Sequence, residues 1–190
     1  RVKSGRAIGA AGSTSFSFEH GVPSDWEMHV QGTSARILDS VIPHEVTHTV
    51  FASHFRQPLP RWADEGASTT TEHLSERQKQ HNLLYKYLAS GRGIPFNRMF
   101  RLSQYPTDIL PLYAQGYSVA RFLIAQRGKQ MFIHFLETGI KSKNWDHAVK
   151  EHYGFSDLSD LQLTWNNWVR RGSPKTQLTS AKTQLVSNEL

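Results

Sequence analysis

This sequence contains, at residues 42–51, the stretch Ile42-Pro43-His44-Glu45-Val46-Thr47-His48-Thr49-Val50-Phe51, with a His-Glu-x-x-His motif at its centre. On a helix, side chains four residues apart lie on one face, so His44 and His48 can bind one metal ion together. Glu45 then lies beside the metal, where its carboxylate can take a proton from a water that the metal activates. Because so short a motif also arises by chance, the surrounding sequence has to supply a third ligand.

The composition limits the class of protein. The chain has 190 residues, 38% hydrophobic and 20% charged, which is enough for one domain with a real core. We expect no membrane span, because no apolar run approaches the roughly 18 residues that one needs. There are no cysteines, so any metal must be held by His and carboxylate side chains. The net charge of +6 raises nucleic acid as a partner, but the basic residues are spread thinly and accompany no nucleic-acid-binding motif, so we expect no specific nucleic-acid partner.

The pattern of polar and apolar residues changes from strands to helices along the chain. Residues 1–31 contain two alternating runs, at 14–19 and 26–30, separated by turn-forming residues at 20–25. We therefore expect a small antiparallel or mixed sheet, which upstream sequence would complete. The helical part is expected to have an active-site helix over 33–56, a second helix over 61–89 and a helical subdomain over 109–171.

Two features mark the limits of these expected elements. Pro43 lacks a backbone N–H and should kink or restart the active-site helix just before the motif. At the other end, residues 173–190 are mostly polar with little to bury, so we expect a mobile tail after a domain spanning 1–172.

Two residues compete for the third ligand position of a catalytic zinc site, which uses three protein ligands and leaves one position open. His54 has the spacing of the metzincin pattern His-Glu-x-x-His-x-x-Gly-x-x-His. However, Phe51 stands where that pattern needs a glycine, and a continuing helix turns His54 by about 240° from His48. Glu65 follows after a proline-bounded loop, at the start of a second helix, and Gly66 allows that helix to approach closely. Glu65 is therefore the expected ligand, and His54 its rival.

These residues together resemble the peptidase MA-like group of gluzincin metalloproteases. The pattern of that group is His-Glu-x-x-His followed by Pro-x-Trp-x-x-Glu-Gly, and here residues 60–67 read Pro-Arg-Trp-Ala-Asp-Glu-Gly-Ala. The segment Tyr113-Ala114-Gln115-Gly116-Tyr117 and a Trp-containing last helix are similar as well, so the resemblance covers about residues 33–171. It implies an α+β, zincin-like fold in which the metal site lies between the small sheet and a mostly α-helical C-terminal half. Asp64 departs from the Asn that relatives of the wider clan often have.

The resemblance also implies roles for individual residues. The expected Zn²⁺ ligands are His44, His48 and Glu65. Glu45 would be the catalytic base. In gluzincins a Tyr or His of the helical half often donates to the oxyanion, which points here to Tyr113 or Tyr117, and we slightly favour Tyr113.

The ligand histidines need acceptors for their second ring N–H groups, because such partners orient the rings. The candidates in this sequence are Asp39, Asp64 and Thr69. Spacing alone does not choose among them.

The expected function is zinc-dependent hydrolysis of peptide bonds in a peptide or protein substrate; the sequence leaves endo- versus exopeptidase action, cellular location and oligomeric state open. One alternative is a catalytically silent zincin-like binding module of a larger protein, against which Glu45 argues, since a silent site does not need it. A nucleic-acid-binding domain with a structural metal is a third reading. It is disfavoured because a His-Glu-x-x-His site keeps a coordination position open.

Overall fold

The computed structural model describes residues 12–174, which begin with a two-stranded antiparallel sheet. Its strands are β1 (Gly12–Glu19) and β2 (Val22–Val30). They are joined by a two-residue turn at His20 and Gly21, both with positive φ, which is the backbone that fits the twist of a tight hairpin. The sheet expected at the N-terminal side of the helices is therefore present, although residues 1–11 of the expected strand region lie outside the described residues.

The turn is shorter than the expected turn over residues 20–25, because β2 already begins at Val22. Asp25, with φ of 53°, lies in an irregularity of the pairing, which shifts register between Ser15 and Ser17. Such a bulge accommodates an extra residue and increases the local twist. On β1, Phe16 and Phe18 are two residues apart and project to the same face, with ring centroids 5.3 Å apart.

The motif lies on a helical segment of three parts. These are α1 (Ser34–Arg36), a π-helical turn (Ile37–Val41) and α2 (Ile42–Phe55). Thr33 caps the segment, and within the π turn the N–H of Ile42 donates to the carbonyl of Ile37, five residues back. Pro43 follows directly; its ring would clash with a carbonyl of a regular preceding turn, which the wider turn avoids. The expected interruption at Pro43 is thus a local widening of a continuous helix.

In place of the single helix expected over 61–89, the structure has two. They are α3 (Arg61–Thr69) and α4 (Leu74–Ala89). The hydroxyls of Thr70 and Thr71 donate to the carbonyls of Ala67 and Ser68 at the end of α3, at 2.6 and 2.7 Å. Threonine hydroxyls that bond to local backbone in this way compete with continuation of the helix. The resulting turn changes the direction of the chain between the two helices.

The rest of the described chain is mostly helical. The elements are α5 (Phe96–Met99), α6 (Leu110–Ser142), α7 (Trp145–Tyr153) and α8 (Leu158–Arg170). Gly128 interrupts α6 with non-helical angles, whereas Gly139 does not end the helix. A Cβ at Gly139 would overlap the Trp145 ring, so this glycine is required by close packing and not by a helix stop. No helix within residues 12–174 is long and apolar enough to cross a membrane.

The core lies among these helices and holds α3 in place. Its largest fully buried side chains include Trp62, Phe96, Phe100, Phe132, Phe135 and Trp165. Gly66 on α3 and Gly116 on α6 let the two backbones touch, since a Cβ on either would overlap the backbone of the other helix. This contact fixes the position of the first turns of α3, which carry Glu65. The small sheet followed by a mostly helical body confirms the expected fold class.

Only two residues of the tail expected over 173–190 are described. The carbonyl of Ser173 accepts a hydrogen bond from Arg121, and that of Pro174 accepts one from the indole of Trp168, both at 2.9 Å. These two residues are held against the helical body. Residues 175–190 lie outside the described part of the chain.

Candidate metal centre

Two imidazole rings project from the same face of α2, as the four-residue spacing requires. The ring centroids of His44 and His48 are 4.8 Å apart. Both side chains are largely buried against α3, with exposed fractions of 14% and 10%. The motif therefore presents a pair of ring nitrogens to the interior of the protein, and solvent reaches them only in part.

Glu65, in the second turn of α3, faces this pair. Its Oε2 atom lies 3.4 Å from Nε2 of His44 and 3.9 Å from Nε2 of His48. One ligand atom from each of the three residues can be chosen so that all lie within 4.8 Å of one another. The close backbone contact between α3 and α6 is what brings this carboxylate to the two rings.

The separation of these atoms fits a small tetrahedral metal ion. With metal–ligand bonds of about 2.0–2.1 Å, the ligand atoms of a tetrahedral site lie about 3.4 Å apart. The His44–Glu65 distance has this value, and the His48–Glu65 distance, at 3.9 Å, is 0.5 Å longer. Two imidazoles and a carboxylate form a donor set that zinc accepts in catalytic sites.

The second ring nitrogens are engaged by carboxylates, as they are in many metal sites. Nδ1 of His44 lies 2.6 Å from Oε1 of Glu72, and Nδ1 of His48 lies 2.7 Å from Oδ1 of Asp64. The hydroxyl of Ser68 is a further neighbour of the His48 nitrogen, at 3.4 Å. When each Nδ1 carries its proton, the Nε2 atoms that face Glu65 keep their lone pairs for a metal.

The electrostatics of the cluster favour positive charge. Burial by itself lowers the pKa of His44, but the hydrogen bonds and charges of Glu65 and Glu72 outweigh it and raise the pKa to about 10. Burial also disfavours the charged form of His48, whereas Asp64 and then Glu65 raise its pKa. Burial works toward a higher pKa for Glu65, yet the two histidines lower it to about 2. Three carboxylates thus surround the two rings. In the metal-free protein, protons on the rings supply the balancing positive charge, and a bound divalent cation would supply it instead.

Glu45 lies next to this cluster and is covered by β1. Its side chain is buried, and its Oε2 atom accepts a hydrogen bond of 2.6 Å from the hydroxyl of Thr14. A Cβ on Gly12 would lie 2.7 Å from Oε1 of Glu45, so a larger residue at the start of the strand would force this carboxylate to move. The carboxylate is therefore held in a defined orientation by the sheet.

Tyrosines lie on the other side of Glu65. Tyr105, in the loop between α5 and α6, donates its hydroxyl to Oε1 of Glu65, and its ring stacks on that of Tyr113 with centroids 6.5 Å apart. Burial and the charge of Glu65 raise the pKa of both tyrosines well above the usual value, so both keep their protons. Burial also raises the pKa of Tyr117, although the charges of Arg121 and Arg77 act to lower it. Of the two candidates from the sequence, Tyr113 is the one held beside Glu65.

Three of the residues considered from the sequence are placed elsewhere or act differently. Nε2 of His54 lies 2.8 Å from Oε1 of Glu137 on α6, and His54 is exposed, so it is not part of the cluster. Asp39 accepts from the Ser40 hydroxyl at 2.6 Å, and Thr69 accepts through its backbone carbonyl. Of the candidate acceptors, only Asp64 contacts a ring nitrogen of the motif.

Sequence reasoning missed Glu72, Tyr105 and Thr14. Glu72 follows Glu65 by seven residues, the spacing of two helical turns, but α3 ends before it, so helical periodicity does not account for its contact with His44. Tyr105 lies in a loop without periodicity, and Thr14 precedes its partner by 31 residues. No local pattern in the sequence points to the contacts of Tyr105 or Thr14.

Comparison with known proteins bears on the same part of the chain. Neither the curated proteins nor the solved structures give a significant match. A family model, that of the peptidase MA superfamily, matches residues 30–171. This range covers most of the chain and includes both helices that carry the metal-binding cluster. The chain therefore belongs to the peptidase MA superfamily.

Proposed function

We propose that this protein is a zinc-dependent peptidase, with Glu45 as its general base. The observation that carries the proposal is the convergence of His44, His48 and Glu65 on one point, next to a carboxylate that a strand holds in position. Membership of the peptidase MA superfamily supports peptides or proteins as substrates.

The three ligands would bind zinc through Nε2 of His44, Nε2 of His48 and the carboxylate of Glu65. When bound there, Zn²⁺ polarises the scissile carbonyl and lowers the pKa of the attacking water. Glu72 and Asp64 keep the two rings in the orientation and tautomer that bind metal. Tyr105 holds the second oxygen of Glu65, which keeps that carboxylate facing the rings.

Glu45 would take a proton from the attacking water and pass it to the leaving amine. The Thr14 hydroxyl engages Oε2 of Glu45 at 2.6 Å, which leaves Oε1 to accept the proton. Tyr113 is the proposed donor to the developing oxyanion, because it is protonated and lies beside Glu65, and Tyr117 is the alternative.

One observation favours the second candidate, a catalytically silent zincin-like binding module of a larger protein. Glu45 is only 5% exposed, and the start of β1 lies directly over its carboxylate. A site closed in this way would bind metal without admitting a substrate. The two candidates therefore predict the same metal content and differ in turnover.

A digest of a generic peptide library tests the proposal, run with the zinc-loaded protein, with chelator, and after zinc is restored. We expect cleavage that chelation abolishes and zinc recovers. Glu45→Gln should retain zinc and lower kcat by about 10²–10⁴-fold, the usual range for loss of a general base. The matched control is Glu151→Gln, an exposed glutamate on α7 that should leave turnover unchanged.

Each possible failure has a separate meaning. Absence of cleavage by the zinc-loaded protein would favour the silent module. Undiminished turnover in Glu45→Gln would show that another group is the base.

A further inference from the structure

An open cavity adjoins the metal centre, between β1, the end of α2 and the start of α3, and its volume of about 400 Å³ includes the solvent at its mouth. Phe16 and Phe18 of β1 form one wall, and Leu59 lies on the loop side. His48 and Asp64 also line the cavity, so it reaches the metal-binding cluster itself. A molecule in this cavity would therefore lie beside His48, one of the three proposed zinc ligands, and beside Asp64, which holds the ring of His48.

Arg61, the first residue of α3, brings a buried positive charge to this cavity. The residue is 6% exposed, and its guanidinium carbon lies 4.4 Å from the centre of the Tyr105 ring. Its Nη1 atom is 3.5 Å from both Oδ2 of Asp64 and the Tyr105 hydroxyl, which is the outer limit of a hydrogen bond. Its Nε atom is buried without a hydrogen-bond partner among the described residues.

This guanidinium is poorly satisfied for a group with five N–H donors. Burying a charge is costly unless well-placed partners compensate it, and the polar contacts that the structure gives to the Arg61 guanidinium, to Asp64 and Tyr105, are both long. Asp64 does not compensate fully, because its other oxygen bonds to His48 at the much shorter distance of 2.7 Å. A strong anionic acceptor is thus missing at a buried cation beside the candidate active site.

We propose that this cavity is a substrate subsite and that Arg61 in it recognises a carboxylate of the bound peptide. The inference rests on the proposed function. A carboxylate can accept two parallel hydrogen bonds from a guanidinium, and Nε of Arg61 is a donor without a partner among the described residues. The apolar walls suit the aliphatic part of the residue that carries it. Since His48 lines the same cavity, this residue would bind beside one of the proposed zinc ligands.

The carboxylate can come from an acidic side chain or from the C-terminus of a peptide. Both present the same two oxygens to Arg61, so the experiment contains one arm for each source. The first arm compares blocked peptides with Glu or Gln at each position around the cleaved bond. The second compares peptides with a free or an amidated C-terminus.

Cleavage is measured with the zinc-loaded protein, and binding is measured by calorimetry with zinc-loaded Glu45→Gln, so that the peptides stay intact. We expect the acidic member of one pair to be preferred at least about tenfold, the usual effect of a hydrogen bond to a charged group. Arg61→Met should reduce this preference to less than about twofold, and Arg61→Lys should leave an intermediate value because it keeps the charge without the planar fork.

Arg92→Met is the matched control, since Arg92 also lies over a tyrosine ring and pairs with an aspartate, Asp108, and neither residue lines the cavity. It should leave the preference unchanged. If Arg61 only positions Asp64, its substitution would change the cleavage rates of acidic and neutral peptides equally. The ratio of these two rates therefore distinguishes recognition of the substrate from positioning of Asp64. If Arg61→Met fails to fold, two measurements still test the inference. They are the preference of the wild-type protein for the acidic peptide of each pair and the reduction of that preference in Arg61→Lys.

The outcomes separate this inference from the proposed function. Cleavage without a preference for an acid, or a preference that survives Arg61→Met, overturns the inference and leaves the peptidase proposal standing. Acid-selective binding without cleavage supports the inference and contradicts the proposed function. Failure to bind or cleave any peptide overturns both.

Discussion

Two groups, each of two histidines and one glutamate, lie at opposite ends of α2. The buried group is His44, His48 and Glu65. The exposed group is His54, His134 and Glu137, whose side chains are 43–50% exposed. Within residues 12–174, only the buried group brings its ligand atoms within 4.8 Å of one another.

The difference lies in how the carboxylate meets the rings. In the buried group both Nε2 atoms face the same oxygen of Glu65, and separate carboxylates engage the Nδ1 atoms. In the exposed group His54 and His134 take different oxygens of Glu137, at 2.8 and 3.0 Å, which makes two surface ion pairs. The same residue types therefore form a metal-binding arrangement only where packing forces the donors to converge.

Removing the shared carboxylate should have the largest effect. Glu65→Gln deletes the anionic ligand, so we expect zinc affinity to fall by more than the roughly 10–100-fold that loss of an outer partner costs. Metal content after dialysis and a competitive chelator titration measure this fall. Glu137→Gln is the matched change in the exposed group and should retain full zinc. Equal zinc loss in both variants would contradict the assignment of the third ligand.

Removing an outer partner should have a smaller effect. Glu72→Ala leaves the ligands in place but frees Nδ1 of His44, so zinc affinity should fall by about 10–100-fold. Glu151→Ala removes the partner of an exposed histidine, His147, and should change nothing. The same chelator titration compares the two, and an unchanged affinity in Glu72→Ala would show that this contact does not orient the ring.

The pH dependence of the metal-free protein should reflect the buried group. The raised pKa of His44 contributes stability that is fully present below about pH 6.5 and is lost as the pH rises through about 10. The lowered pKa of Glu65 contributes stability that is present above about pH 4.5 and is lost as the pH falls through about 2. Stability without metal should therefore be highest near pH 5–6 and fall by about 1 kcal/mol or more toward pH 10.

Urea unfolding of chelator-treated protein at several pH values checks this dependence. The zinc-loaded protein should lack the alkaline loss, because bound rings carry no extra proton. Zinc affinity should increase with pH for the same reason. A His44→Gln variant should lose most of the decrease in stability toward pH 10. If the decrease is unchanged in this variant, other groups cause it.

The exposed group should show the smallest effect. Ring partners lower the pKa of Glu137, chiefly His134 and then His54, so its ion pairs contribute above the usual glutamate pKa and weaken as the pH falls. Glu137→Gln should change the free energy of unfolding by no more than about 0.5 kcal/mol, because exposed pairs are screened. Denaturant unfolding measures this, and a loss above about 2 kcal/mol would mean that the pair holds α2 against α6.

Much of the candidate site was predictable because it depends on local geometry. The four-residue spacing placed His44 and His48 on one face, and Phe51 kept the helix continuous, which carried His54 away from the site. Glu65 followed from a proline-bounded loop and a second helix of known pitch. The period of a helix is set by its backbone alone, so such relations can be derived before any packing is known.

Other predictions failed because the pattern of polar and apolar residues did not show where a helix ends or continues. Threonine hydroxyls ended the helix expected over 61–89 after Thr69, which made Glu72 the acceptor for His44 in place of Asp39 or Thr69. Gly139, a residue type that commonly ends a helix, lies inside α6, and the ring of Trp145 packs on it. In each case a competing contact, local or tertiary, decided the conformation.

The sequence by itself therefore determined the motif helix, the order of strand and helix, and three donors at spacings that can meet. Only the tertiary structure decided which groups surround them: Thr14 on Glu45, Tyr105 on Glu65, and the under-satisfied Arg61 beside the cavity. The physical reason is that periodicity is a property of neighbouring residues, whereas these contacts join segments 31–44 residues apart. Their positions depend on how Gly66 and Gly116 bring two helices together and on where the strand β1 lies over α2.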